Sequence, residues 1–181
     1  YKDHNKYLSE TILKIDSLSI LLGEILESSK FQEWTENKQI LNIKNAVEIM
    51  IDRYREMYLV KNIKINNGVK DTTTILMSKQ ALDKVLSNVV SNAIKYSSED
   101  SSIQIYDDKE YLYIDNPCKP LSEEAQENLF KIFYHTQVIN KPQKGTGLGL
   151  YIVKNILESY DLEYSLKPYE HGMRFKIRID N

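Results

Sequence analysis

Three short stretches combine residue types and spacings that could do chemistry. The first lies in a segment of helical periodicity over 78–96. At about 100° per residue, Lys84, Asn88, Ser91, Asn92 and Lys95 share one stripe, while Leu82, Val85, Leu86, Val89 and Ala93 face the other way. Asparagine competes for backbone hydrogen bonds and is a mediocre helix former, so two of them at i and i+4 need a reason. Their amide oxygens could hold a hard cation such as Mg2+, and Lys95 could meet phosphate. An ordinary solvated face has the same pattern.

The second stretch is Gly145-Thr146-Gly147-Leu148-Gly149-Leu150, which leads into the apolar pattern Ile152, Val153, Ile156, Leu157. Glycines let a backbone approach an anion, and the N–H groups opening a helix carry partial positive charge. Half of the chain's six glycines sit here. No Gly-Lys-Ser/Thr follows, which excludes a Walker loop. Leu150 stands where a Rossmann fingerprint has its third glycine, and no strand leads directly in. A phosphate cradle and a flexible turn both remain open. The third candidate is Asp115, which closes a strand of apolar and aromatic residues. It is either a solvated strand end or an acceptor for a ligand's N–H groups.

The elements that must position these residues follow from periodicity. Leu8, Ile12, Ile15, Leu22 and Leu26, widened by Leu18, Leu21 and Ile25, predict one long helix over 5–29 with a broad apolar stripe. A face that wide needs helical partners on more than one side. A polar stretch over 28–37 reads as a boundary. Beyond it the pattern predicts a short strand over 38–42 and a helix over 43–58. Strands over 63–65 and 72–77 follow, separated by an Asn66-Asn67-Gly68 turn. Ser78 is a plausible N-cap for the asparagine-bearing helix. Strands over 103–106 and 111–114 form a hairpin through Asp107-Asp108-Lys109-Glu110. A long irregular stretch over 116–144 holds one short helix over 122–134, a length typical of functional lids. After the glycine-rich turn a helix runs to about residue 160, and a second hairpin over 163–167 and 173–179 closes the chain. In that last strand Met173, Phe175, Ile177 and Ile179 face one way and Arg174, Lys176 and Arg178 the other. The fold class expected is α+β: a two-layer sandwich of a mixed, mostly antiparallel sheet with helices on one face, preceded by one long helix.

Composition narrows the possible functions. The 181 residues are 41% hydrophobic and 28% charged, which excludes global disorder. A net charge of −2 lacks the basic excess of a nucleic-acid binder. One cysteine excludes an internal disulfide and a cysteine-built zinc site, and fits a reducing compartment. No apolar run reaches the length of a membrane span. The first residue is Tyr1 rather than Met, so the expectation is a piece of a longer polypeptide.

Taken together, these motifs resemble the catalytic, ATP-binding domain of bacterial sensor histidine kinases, part of a wider family with gyrase, Hsp90 and MutL. The run Asn88-Val89-Val90-Ser91-Asn92-Ala93-Ile94-Lys95-Tyr96-Ser97 resembles the asparagine box, and 145–150 resembles the second glycine box. Leu129-Phe130-Lys131-Ile132-Phe133-Tyr134-His135 resembles the phenylalanine box, with His135 where arginine is common. The resemblance covers roughly 38–180. It implies a Bergerat-type fold, with a catalytic domain over 35–181 and an ATP lid over 116–144. Residues 1–34 would be a linker and the second helix of a dimerisation and phosphotransfer hairpin.

By the same resemblance Asn92 and Asn88 would serve Mg2+ and phosphate, Lys95 phosphate and Tyr96 the nucleotide. Asp115 would accept from the adenine amino group, so that Asp115→Asn should abolish binding. Lys144, Gly145, Thr146, Gly147, Leu148, Gly149 and Leu150 would line the phosphates. The activity implied is transfer of the γ-phosphoryl group of ATP to a histidine for relay to a response regulator. The partners would be ATP or ADP, the protein's own phosphotransfer helix, a homodimer partner and the regulator, with no nucleic acid. The location implied is the cytoplasmic portion of a membrane-anchored bacterial protein, the anchor lying in upstream segments.

Hydrolysing relatives carry a glutamate general base where this chain has Asn88, which cannot accept a proton near neutral pH. None of His4, His135 or His171 has the acidic neighbour and following proline of the family's acceptor, so the acceptor is expected elsewhere. The first glycine box reads aspartate with glycines two and four residues later; counted from Asp115, those positions are Pro117 and Lys119. That departure supports an alternative, a degenerate kinase domain that scaffolds a partner with weak or no nucleotide binding. Cys118 is either a redox handle or a small buried residue.

Overall fold

A computed structural model of the chain describes Gly23, residues 31–131 and residues 147–179. Apart from Gly23, the long helix expected over 5–29 lies outside the described residues. So do His4, His135, Lys144, Gly145, Thr146 and the lid beyond residue 131.

The elements run α1 (Phe31–Glu36), β1 (Gln39–Asn42), α2 (Ile43–Arg53), α3 (Arg55–Val60), β2 (Lys64–Gly68), β3 (Thr74–Met77) and α4 (Lys79–Tyr96). There follow β4 (Ser102–Asp107), β5 (Tyr111–Pro117), α5 (Glu123–Asn128), α6 (Gly149–Ser159), β6 (Tyr164–Tyr169) and β7 (Gly172–Arg178). A five-stranded sheet has the order β2-β4-β5-β7-β6, parallel at β2–β4 and antiparallel elsewhere; β1 and β3 form a separate antiparallel ribbon. This is the mixed, mostly antiparallel α+β sandwich expected.

One face of the large sheet is apolar and buried. Ile103, Ile105, Leu112, Ile114, Phe175 and Ile177 pack against Ile43, Val47 and Met50 of α2, the inner face of α4, and Ile152, Val153, Ile156 and Leu157 of α6. The other face carries Gln104, Tyr106, Tyr113, Arg174 and Lys176, all partly open to water. Strict alternation in β4, β5 and β7 produces this division, since successive side chains of a strand point to opposite faces.

Ser78 caps α4 as expected: its Oγ accepts from Ala81 N at 3.2 Å. Its own N–H donates to Tyr160 Oη, whose hydroxyl donates to Trp34 O at 2.6 Å. The stretch read as a boundary therefore includes a short helix, α1, tied to the core through Tyr160.

Three elements differ from expectation. The helix expected over 122–134 is α5, which ends at Asn128: the Leu129 N–H reaches Gln126 O, three residues back, and residues 129–131 form a turn. The helix expected over 43–58 breaks at Tyr54, whose hydroxyl meets Ser87 Oγ of α4 at 2.6 Å, one residue after Arg53 forks onto Asp83 of α4. The Asn66-Asn67-Gly68 sequence is strand, not turn: it pairs with Gln104, Ile105 and Tyr106 of β4. Asn66 Nδ2 donates to Ser102 Oγ and Gln104 Oε1, so tertiary pairing overrides the local turn preference.

The chain reverses after β2 beside a buried carboxylate paired with a half-exposed lysine. The Asp107 side chain, 2% exposed, accepts from Lys70 N at 2.8 Å and Lys70 Nζ at 2.9 Å. Burial pushes its pKa up, but the bonds from Lys70 and Thr73 outweigh that and hold it below the usual aspartate value. The stabilisation is therefore complete above the pKa of an unfolded aspartate and is lost as pH falls through the folded value. Urea denaturation at pH 7 and pH 3 should show it: Asp107→Asn lowers stability by about 2 kcal/mol at pH 7 and by much less at pH 3.

Candidate nucleotide site

The polar stripe of α4 is not a solvated face. Lys84, Asn88, Ser91, Asn92 and Lys95 are all half-buried. Asn88 Nδ2 donates back to Lys84 O at 2.8 Å, and Ser91 Oγ donates to Asn88 O at 3.3 Å. Asn88 Oδ1 faces the first residue of α6: a Cβ on Gly149 would meet it at 2.6 Å. Glycine at 149 is thus what allows the α6 N-terminus to approach the asparagine stripe. Just upstream, Gly147 has φ of 71°, which glycine adopts without steric cost.

Leu148 is buried and its carbonyl accepts from Ile152 N at 2.8 Å, anchoring the turn to the core. Leu150 is half-buried. The α6 opening supplies N–H groups without partners in their own helix, next to the amide oxygen of Asn88. Lys95 and Tyr96 close the last turn of α4, with the ammonium 4.9 Å from the ring centroid; Tyr96 is exposed. Just after α5, Phe130 packs edge-on against Tyr164 of β6, with ring centroids 5.1 Å apart.

Asp115 is placed elsewhere. It lies on the sheet face turned away from the helices, directly opposite Arg174 of β7. Arg174 Nε and Nη2 donate to its two oxygens at 2.7 Å each, and Tyr106 Oη donates at 3.3 Å. The guanidinium also lies 5.3 Å from the Tyr113 ring and 5.2 Å from that of Tyr169. The hydrogen bonds to Asp115 raise the pKa of Arg174 further above its ordinary value. Asp115 is therefore not brought together with Asn88, Asn92 or Gly149.

The residue on the helix-facing side is the next one, Asn116. It is in phase with Leu112 and Ile114 and is 7% exposed. Its signal was in the sequence: Leu112, Ile114 and Asn116 alternate with Tyr111, Tyr113 and Asp115. Cys118 follows, half-buried, with the Asn116 side chain and Met173 N–H bonded to its sulfur. Burial pushes the thiol pKa up against those bonds, so it is protonated at neutral pH.

The end of α4 meets the end of β5 at this point, where Ser98 N donates to Pro117 O at 2.9 Å. The asparagine stripe, the α6 N-terminus and the Asn116 end of β5 thus border one region. The sequence pattern of the histidine kinase-, DNA gyrase B-, and HSP90-like ATPases matches residues 77–181, which contain all three. The chain belongs to that family.

Among individual proteins, it is 51% identical over 179 residues to sensor histidine protein kinase HK06 of Streptococcus pneumoniae, a match covering 99% of this chain and 40% of that protein. Sensor protein VanSB of Enterococcus faecalis is 26% identical over 97% of this chain and 41% of its own length. The chain thus spans about two fifths of these relatives. Among solved structures, histidine kinase AdeS of Acinetobacter baumannii superposes with a TM-score of 0.74 at 19% identity, over 93% of this chain and 81% of that one. These likenesses agree with the resemblance to histidine kinase catalytic domains, and the structural one shows a shared fold.

Proposed function

We propose that the chain is the ATP-binding catalytic domain of a sensor histidine kinase, and that Asn116 rather than Asp115 reads the adenine. The observation that carries this reading is the half-buried Asn88–Asn92–Lys95 stripe facing the glycine-opened N-terminus of α6, with Asn116 at the adjoining strand end. As the buried, helix-facing residue at the end of β5, Asn116 offers an amide Oδ1 that can accept from an exocyclic amino group. Counted from Asn116, the glycines expected two and four residues on are Cys118 and Pro120.

The donor set fits a magnesium nucleotide. Among the described residues no group of three His, Cys, Asp or Glu side chains could hold a metal. A Mg2+ ion here would rest on the Asn92 amide oxygen, with Asn88 beside it, and otherwise on phosphate and water. Lys95 and the N–H groups of Gly149 and Leu150 offset phosphate charge, with Gly147 and Leu148 just upstream; Lys144, Gly145 and Thr146, assigned to the phosphates by the resemblance, lie outside the described residues. Tyr96 offers an exposed ring at the stripe's end. Bound MgATP supplies the transferable phosphoryl group, and the protein's part is positioning and charge neutralisation. With an amide at Asn88 there is no carboxylate base for water at that position, so ATP is held without ready hydrolysis.

A histidine on the phosphotransfer helix would receive the phosphoryl group, within a homodimer, for relay to a response regulator. Among the described residues no helix is long and apolar enough to cross a membrane, so an anchor would lie in other segments.

Calorimetric titration with ADP and a non-hydrolysable ATP analogue, with and without Mg2+, tests the site. Saturable binding near one per chain, strengthened by the metal, is expected. Absence of binding up to millimolar nucleotide would replace this reading with the scaffold alternative, which the missing glycines at 118 and 120 favour.

A further inference from the structure

The start of β2, the start of β4 and the end of β5 lie at one end of the large sheet, since Lys64 pairs with Ser102 and Gln104 with Asp115. The chain enters β2 through Lys61 and Asn62. Asn62 takes a φ of 51°, a left-handed conformation that asparagine tolerates. Asn62 Nδ2 donates to Asp100 Oδ1 at 2.6 Å, and Asp100 N donates to Lys61 O at 3.1 Å, so the backbone at Lys61 is held on both sides.

From there the Lys61 ammonium reaches the end of α4. It donates to Ile94 O and Lys95 O at 2.9 Å each and to Ser97 O at 2.6 Å. The last carbonyls of a helix have no partners in the helix and carry its negative dipole end; an ammonium has three donors to give them. Two of the three carbonyls belong to Lys95 and Ser97, which flank Tyr96. One residue on, Ser98 N donates to Pro117 O, next to Asn116. A single cation therefore gathers the last turn of α4, and that turn is pinned to the strand end carrying Asn116.

We propose that Lys61, outside every motif of the sequence, is a positioning residue for the nucleotide site. It sets Lys95 and Tyr96 on one side and, through Ser98 and Pro117, Asn116 on the other. The inference rests on the reading of the site given above.

The test compares Lys61→Met with Lys70→Met. Methionine keeps the reach of lysine and removes its donors. Lys70→Met breaks the Asp107 pair at the opposite end of the sheet, which supports the fold without bordering the site. Calorimetry with MgADP is run well below the melting temperature of each variant. Lys61→Met is expected to weaken ADP binding about tenfold, whereas Lys70→Met lowers the melting temperature with ADP affinity within about twofold of the unaltered chain. In 15N spectra of the unliganded chain, Lys61→Met should displace the amide signals of Lys95, Tyr96, Ser98 and Asn116.

If Lys61→Met binds ADP as the unaltered chain does, with those signals in place, Lys61 is only a structural brace and the inference fails. Failure of the unaltered chain to bind ADP overturns the reading of the site itself, and is distinguished because it needs no substitution. Should Lys61→Met not fold, Lys61→Gln, which keeps two of the donors, carries the same expectation at a smaller fold-change.

Discussion

Asn116→Ala weakens ADP binding by about 30-fold in a calorimetric titration, while Asp115→Asn leaves it within about twofold. The contrast rests on which face of β5 each side chain occupies. Asn116 is buried on the side of α4 and α6, where an acceptor for an amino group would be shielded from competing water. Asp115 is committed on the other side to both guanidinium nitrogens that face it. Its replacement by asparagine weakens that fork and shows in stability, at about 1 kcal/mol, a value kept small because the Arg174 side chain is partly open to water. Asn116→Asp retains an acceptor and should retain binding. The reverse result, with Asp115→Asn abolishing binding and Asn116→Ala harmless, would restore the assignment made from motif order alone.

Gly172→Ala has the largest expected effect on the fold. A Cβ at this position would collide with Asn116 O and would lie 2.7 Å from Cys118 N and 2.9 Å from Pro117 Cα. All three are backbone atoms of the paired strand β5 or of the residue that follows it, and Gly172 is the register partner of Pro117. No side-chain rotation can relieve the overlap, so β5 and β7 must separate at this end. A loss of about 3 kcal/mol in urea denaturation is expected. The same displacement moves Asn116 and Cys118, so ADP binding should weaken even where the variant remains folded. A urea midpoint indistinguishable from that of the unaltered chain would show that the strands yield more easily than this packing implies.

Much of the site was legible in residue types and spacing. The α4 stripe needed only the helical period, and Ser78 marked where that helix begins. The glycine-rich turn was legible because few residue types permit a backbone to come so close to another group, and Gly149 against Asn88 Oδ1 is such an approach. The strand phase of β5 was legible too. Leu112 and Ile114 point inward, so the inward residue that follows is Asn116. Motif order favoured the charged residue; the period of two favoured its neighbour.

Other features had no local signal. The Asn66-Asn67-Gly68 sequence has turn chemistry and became strand because β4 offered a parallel partner. Lys61 lies in no periodic pattern, and its three carbonyl partners are more than thirty residues away in the chain.

What the sequence by itself determined is most of the described elements, the face that α4, α6 and the strands β4, β5 and β7 present to the core, and the chemistry of the asparagine stripe and glycine turn. These depend on periods of 3.6 and 2 and on the backbone freedom of single residues, all of which are local. Only the tertiary structure decided which strand lies beside which, that Arg174 captures Asp115, and that Lys61 closes α4 against the end of β5. Those outcomes depend on hydrogen bonds and ion pairs between residues far apart in the chain, and such pairs exist only once the sheet order has brought them together.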